Sequence, residues 1–120
     1  MFFQSQLVQP NIPEVNNTHE CDDLLSQDFT ILFKHSPTCP VSLFAHREVT
    51  RFREAQPDAP VFLISVRRQR DLARHVAQKT GVQHESPQIL VLRRGEVVGS
   101  ASHDEITAEL LSHYVAAAQV

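Results

Sequence analysis

The sequence predicts an α/β layer fold, a four-stranded mixed sheet with helices on both faces. Three observations predict it. Short β-branched and aromatic runs alternate with segments of helical periodicity. The first two runs are separated by one helix, which demands a parallel pair with a right-handed crossover. The last two are separated only by Arg94-Gly95, which suits an antiparallel hairpin. At 120 residues, with 42% hydrophobic and 21% charged content, the chain can bury such a core without covalent staples.

In chain order, residues 1–16 are polar, contain Pro10 and Pro13, and read as an extended lead-in to a domain spanning 17–120. Asn17 and Glu20 resemble a capping box opening a short helix through Cys21, Leu24 and Leu25. Phe29-Thr30-Ile31-Leu32-Phe33 reads as a buried strand. Pro40 suits the first position of the next helix, with Thr38 or Cys39 as cap. Its predicted apolar face is Val41, Phe44, Ala45, Val49 and Phe52, with Arg47, Glu48, Arg51 and Glu54 mostly elsewhere, and it ends before Pro57. Pro60 to Val66 is a second buried strand. A helix from about Gln69 follows, striped by Leu72, Ala73, Val76 and Ala77 and closed by Gly81. Strands at Gln88–Arg93 and Glu96–Ala101 form the hairpin. Ser102-His103-Asp104-Glu105 is a capping box opening a last helix with Ile106, Leu110, Leu111, Tyr114 and Val115 on its apolar face. Thioredoxin-like folds have this plan, and few other small folds do.

Composition narrows the function. The net charge is −3 and the sequence pI about 6.1, so no basic field draws in nucleic acid or an anionic membrane. Arg67, Arg68 and Arg70 form one short cluster and Arg93-Arg94 another, both read as solvated faces. No apolar run reaches the length of a membrane span, and the start lacks the charged and apolar regions of a signal peptide. A cytoplasmic location is expected, where the two cysteines are seldom a structural disulfide.

Cys39 lies where a buried strand meets the N-terminus of an amphipathic helix. Unpaired backbone N–H groups and the partial positive charge there favour a thiolate, the attacking species in disulfide exchange. His35 or Lys34 could add charge, although strand alternation lets only one face the site. Three residues on stands Ser42, not the second cysteine of a redox pair. A hydroxyl can hydrogen-bond a thiolate but cannot resolve a mixed disulfide, so chemistry at this turn must be monothiol. Ser86-Pro87 opens the strand that faces the turn. A cis bond there would leave the Ser86 backbone free to pair with an extended substrate, though most X-Pro bonds are trans.

Phe33-Lys34-His35-Ser36-Pro37-Thr38-Cys39-Pro40-Val41-Ser42 resembles the signature of the monothiol bacilliredoxins of the YtxJ type. The resemblance continues through His84-Glu85-Ser86-Pro87-Gln88 and Ser102-His103-Asp104-Glu105-Ile106-Thr107, covering the chain from about Phe29 to its end. It implies a thioredoxin-like fold and removal of bacillithiol from S-bacillithiolated proteins after oxidative stress. Carried over, Cys39 is the nucleophile and Pro87 a cis-proline. Bacillithiol would be a co-substrate, with no bound cofactor. The lead-in looks longer than the family's usual start, and the sequence alone assigns it no role.

Cys21 is a candidate resolving thiol only if it comes within about 7 Å of Cys39, Cα to Cα; otherwise it is structural. His35, His84 and His103 with Cys39 would suit zinc, but they lack the close spacing of a ligand motif, and no metal is expected. Bacillithiol carries a malate and an amine, which Lys34, His84 or Glu85 could engage. Two readings of other classes stand beside this one. An iron–sulfur or metal carrier like the monothiol glutaredoxins needs glycine beside its cysteine and a Gly-Gly pair. Here Pro40 follows Cys39 and none of the three glycines are adjacent. A non-catalytic peptide-binding module would use the Ser86 edge alone. Nothing in the sequence demands more than a monomer.

Overall fold

The computed structural model describes residues 11–118. The elements are α1 (Thr18–Leu25), β1 (Thr30–His35), α2 (Pro40–Ala55), β2 (Val61–Ser65), α3 (Arg70–Thr80), β3 (Gln88–Arg93), β4 (Glu96–Ser102), a 3₁₀ turn (His103–Glu105) and α4 (Ala108–Ala118). The sheet order is β2-β1-β3-β4. β2 lies parallel to β1, with His35 opposite Ser65, and β3 antiparallel, with Lys34 opposite Gln88. β4 returns antiparallel to β3 through Arg94 and Gly95, whose positive φ angles (52° and 85°) fit a tight primed turn.

The helices cover the two faces in pairs. α2 and α4 pack on one, around Ile31, Phe33, Val49, Phe52, Ile89 and Leu111. On the other, α1 and α3 enclose Cys21, Leu32, Ile64, Leu72, Val76 and Leu90. β1 is buried along its whole length, so its alternate side chains serve both cores. Local chemistry sets the helix ends. The Asn17 side chain accepts from Glu20 N–H (2.8 Å), and Gly81 closes α3 at φ 73°.

The segment before α1 covers the outer edge of β2. Leu63 N–H donates to the Pro13 carbonyl (2.8 Å), and Val15 N–H to the Leu63 carbonyl (2.9 Å). Ile12 and Val15 are buried in opposite cores. An otherwise open sheet edge is thereby paired.

Two expectations are corrected. The Ser102–Glu105 capping box forms, but it closes only the 3₁₀ turn. The last helix begins at Ala108, where the Thr107 hydroxyl accepts from Leu110 N–H (3.1 Å). The buried stripe of α2 is also rotated from the predicted one. Val41 and Phe44 are exposed with Leu43, whereas Ser42, Ala45, Glu48, Val49 and Phe52 are buried. Glu48 turns inward because its carboxylate accepts from Ala108 N–H (3.0 Å) and pairs with Arg51 (2.8 Å), closing the N-terminus of α4. Those hydrogen bonds, that to Ala108 first, hold its carboxyl below the usual carboxylate range.

Candidate active site

β1 leaves the sheet at His35 and reaches α2 through the turn 36–39. Cys39 N–H donates to the Ser36 carbonyl (3.1 Å), and the Cys39 carbonyl accepts the first helical bond from Leu43 N–H (3.0 Å). Cys39 is therefore the N-cap of α2, with extended backbone, and Pro40 follows where a missing N–H costs no bond. The thiol is only partly covered. Hydrogen bonds hold its pKa below the ordinary thiol value: first the Ser42 backbone N–H, opposed in part by desolvation, then the Val41 N–H and the Ser42 hydroxyl. Ser42 is fully buried, and its oxygen also accepts from Ser36 N–H (3.2 Å), which fixes the hydroxyl beneath the sulfur. Thr38 and Pro40 are exposed on the turn.

Neither cationic neighbour assists the thiolate as expected. His35 is 8% exposed and lies against His46 with the rings tilted at 46°, their centroids 4.9 Å apart. Burial and the neighbouring His46 push its pKa down to about 4, so it is neutral at physiological pH. His46, which the sequence did not single out, is half-buried at the edge of the rotated stripe of Ser42, Ala45 and Val49. Lys34 points to the opposite face and is fully buried, its pKa lowered by desolvation to about 8. Its ammonium lies 3.2 Å from His84 Nδ1. Lys34 is thus buried behind the exposed His84 and does not itself face solvent, contrary to its expected place among the ligand contacts.

The Ser86–Pro87 peptide bond is cis. Because Gln88 pairs with Lys34, this bond lies level with the point where the chain leaves β1 for the Cys39 turn. The Pro87 carbonyl is taken by His103 N–H (3.0 Å), and the Gln88 side chain ties the loop back to Gln83 and Glu85. Glu85 pairs with His103 (3.5 Å). Ser86 makes no hydrogen bond among the described residues, and its Oγ is buried without a partner. Cys21 sits wholly inside the α1/α3 core, its thiol pushed by burial up to about 11. Both cysteines are free thiols. Among the described residues no three His, Cys, Asp or Glu side chains cluster to hold a metal ion.

A strand-to-helix turn with one activated cysteine, a serine three residues on and a cis-proline alongside is an arrangement for thiol exchange. A family model described as monothiol bacilliredoxin BrxC matches residues 11–111. The chain belongs to the monothiol bacilliredoxin family. Among solved structures, the bacilliredoxin chain is similar to a candidate oxidoreductase with a thioredoxin fold: 28% identity, TM-score 0.80, covering 85% of this chain and 91% of that one. Mitochondrial thioredoxin 3 of Saccharomyces cerevisiae aligns at TM-score 0.67 and 17% identity, covering 86% and 92%. The thioredoxin of Trypanosoma brucei brucei aligns at 0.70 and 15%, covering 88% of each chain. The last two likenesses carry the fold alone. Family and fold together support a thiol redox function for this bacilliredoxin. No helix among the described residues is long and apolar enough to cross a membrane.

Proposed function

We infer that this bacilliredoxin removes bacillithiol from S-bacillithiolated protein cysteines in the cytoplasm, with Cys39 as nucleophile. The observation that carries the reading is the partly covered Cys39 thiol at the N-cap of α2, followed three residues on by the Ser42 hydroxyl rather than by a second thiol. The Cys39 thiolate attacks the bacillithiol sulfur of the mixed disulfide. That S–S bond breaks, a new one forms to Cys39, and the substrate cysteine leaves as a thiolate that takes a proton from water. Free bacillithiol, as thiolate, then attacks the bacillithiol sulfur held on Cys39. Bacillithiol disulfide leaves and the Cys39 thiolate returns. Ser42 steadies the anion in both half-reactions and has no sulfur with which to compete.

Two features support a protein substrate. The unpaired Ser86 backbone can accept an extended segment beside the thiol. Val41, Leu43 and Phe44, each between 41% and 51% exposed, present apolar surface on the first turns of α2. The buried Cys21 stays structural.

Turnover tests the reading. A model protein carrying one S-bacillithiolated cysteine should be reduced in a single stoichiometric burst by the enzyme alone and continuously once bacillithiol is supplied. Sustained turnover without any added thiol would contradict it.

A further inference from the structure

A cavity of about 870 Å³ opens on the α2 side of the Cys39 turn. Its walls are the segment before α1, the C-terminal ends of β1 and β2, and α2; Pro37, two residues before Cys39, stands at its rim. The size is that of a small-molecule site. Its charges are unevenly compensated. Arg68 is paired with the Glu14 carboxylate and bonds Ser65 Oγ (3.3 Å), which fastens the N-terminal segment across the cavity. Arg67 beside it makes no ion pair or hydrogen bond among the described residues and supplies the cavity's uncompensated positive charge. Deeper in, the neutral His35 and His46 rings line the wall, and His35 Nδ1 is buried without a hydrogen-bond partner. His35 Nδ1 itself is closed off, and the half-buried His46 imidazole is the ring on that wall with which a ligand hydroxyl can hydrogen-bond. One cation at the lip and neutral imidazoles within select a carboxylate attached to a hydroxyl-bearing body.

We propose that this cavity binds the carboxylate- and hydroxyl-bearing part of a low-molecular-weight thiol, its carboxylate on Arg67 and its hydroxyls toward the His46 imidazole. The proposal rests on reading Cys39 as the exchange nucleophile, because the sulfur of such a ligand must reach the turn while its anionic end fills the cavity. Arg67 is thereby a specificity residue.

Two measurements on the full chain test it. In amide NMR titrations with L-malate, wild type should show saturable shifts at Asn11, Asn16, Ser65 and Arg67. Arg67→Glu should lose them and Arg67→Lys keep them in part. Absence of saturable shifts there overturns the proposal, as does persistence in Arg67→Glu. In stopped-flow reduction of two mixed disulfides of one model protein, Arg67→Glu should slow attack on the bacillithiol adduct at least fivefold and leave the 2-mercaptoethanol adduct unchanged. Equal rates for mutant and wild type on both adducts would overturn it. If wild type bound malate and reduced the 2-mercaptoethanol adduct but not the bacillithiol one, the bacillithiol reading would fail while the cavity stood as a hydroxycarboxylate site.

Discussion

Ser42 stands where a second cysteine would have to stand to release a mixed disulfide from within, and its buried hydroxyl is bonded on one side to Ser36 N–H. Its role at the thiol is measurable. Ser42→Ala removes one hydrogen bond to the thiolate, so the Cys39 pKa rises and less thiolate is present at pH 7. The midpoint of the pH profile of Cys39 alkylation by iodoacetamide should move upward, with the rate at pH 7 falling severalfold. An unchanged midpoint would remove Ser42 from the chemistry. Lys34 carries a second residue-scale prediction. Its ammonium is buried, with the His84 imidazole as its one hydrogen-bond partner among the described residues, and desolvation lowers its pKa to about 8 from 10.5. Below pH 8 the folded and unfolded chains are both protonated and the burial penalty is fully present. Between pH 8 and 10.5 the folded chain sheds the proton first and stability rises with pH. Lys34→Met should therefore stabilise the protein at pH 7 by about 1–3 kcal/mol, with the gain shrinking toward pH 10.5 in urea titrations. The thiol's position was legible in the sequence because Pro40 marks a helix start. The burial of Lys34 was not, because a lysine in a strand reads as exposed until the partner across the sheet is known.

At the scale of elements, α2 and α4 are coupled through one carboxylate. Glu48 accepts from Ala108 N–H and pairs with Arg51, so it caps a helix sixty residues away. Glu48→Ala should cost about 1–2 kcal/mol, read from chemical denaturation. Because the folded-state pKa lies below the ordinary 4.5, that contribution is present above pH 4.5 and is lost as the pH falls through the folded value, so wild type and variant converge in acid. The strands and the order of elements were legible from β-branched runs, turn residues and caps. The face of α2 was not. Its buried stripe hides Ser42 and Glu48 among Ala45, Val49 and Phe52, so hydropathy alone drew the face toward Val41 and Phe44. The start of α4 misled for a related reason: Ser102 and Glu105 form a complete capping box, but the chain after it turns extended at Ile106, which fills the core from outside any helix.

Over the whole molecule, the sheet brings together what the sequence holds apart. Pairing of β1 with β3 sets the cis Ser86–Pro87 bond level with the exit to Cys39, and pairing of residues 13–15 with β2 walls a cavity against His35. The first juxtaposition was foreshadowed by the three family blocks. The second rests on a lead-in and an arginine pair that carry no motif, and only the fold shows that they meet. Cys21 is buried in the α1/α3 core, on the other face of the sheet from α2, whose N-terminus Cys39 caps. These placements converge on one claim, that a single sulfur does the chemistry. Intact-mass spectrometry of the reduced protein after incubation with an S-bacillithiolated substrate tests it most directly, with Cys39→Ala and Cys21→Ala alongside. One bacillithiol mass should appear on the wild type and on Cys21→Ala, and none on Cys39→Ala. Loss of two hydrogens in the wild type, with no retained adduct, would make Cys21 a resolving thiol and contradict the monothiol account.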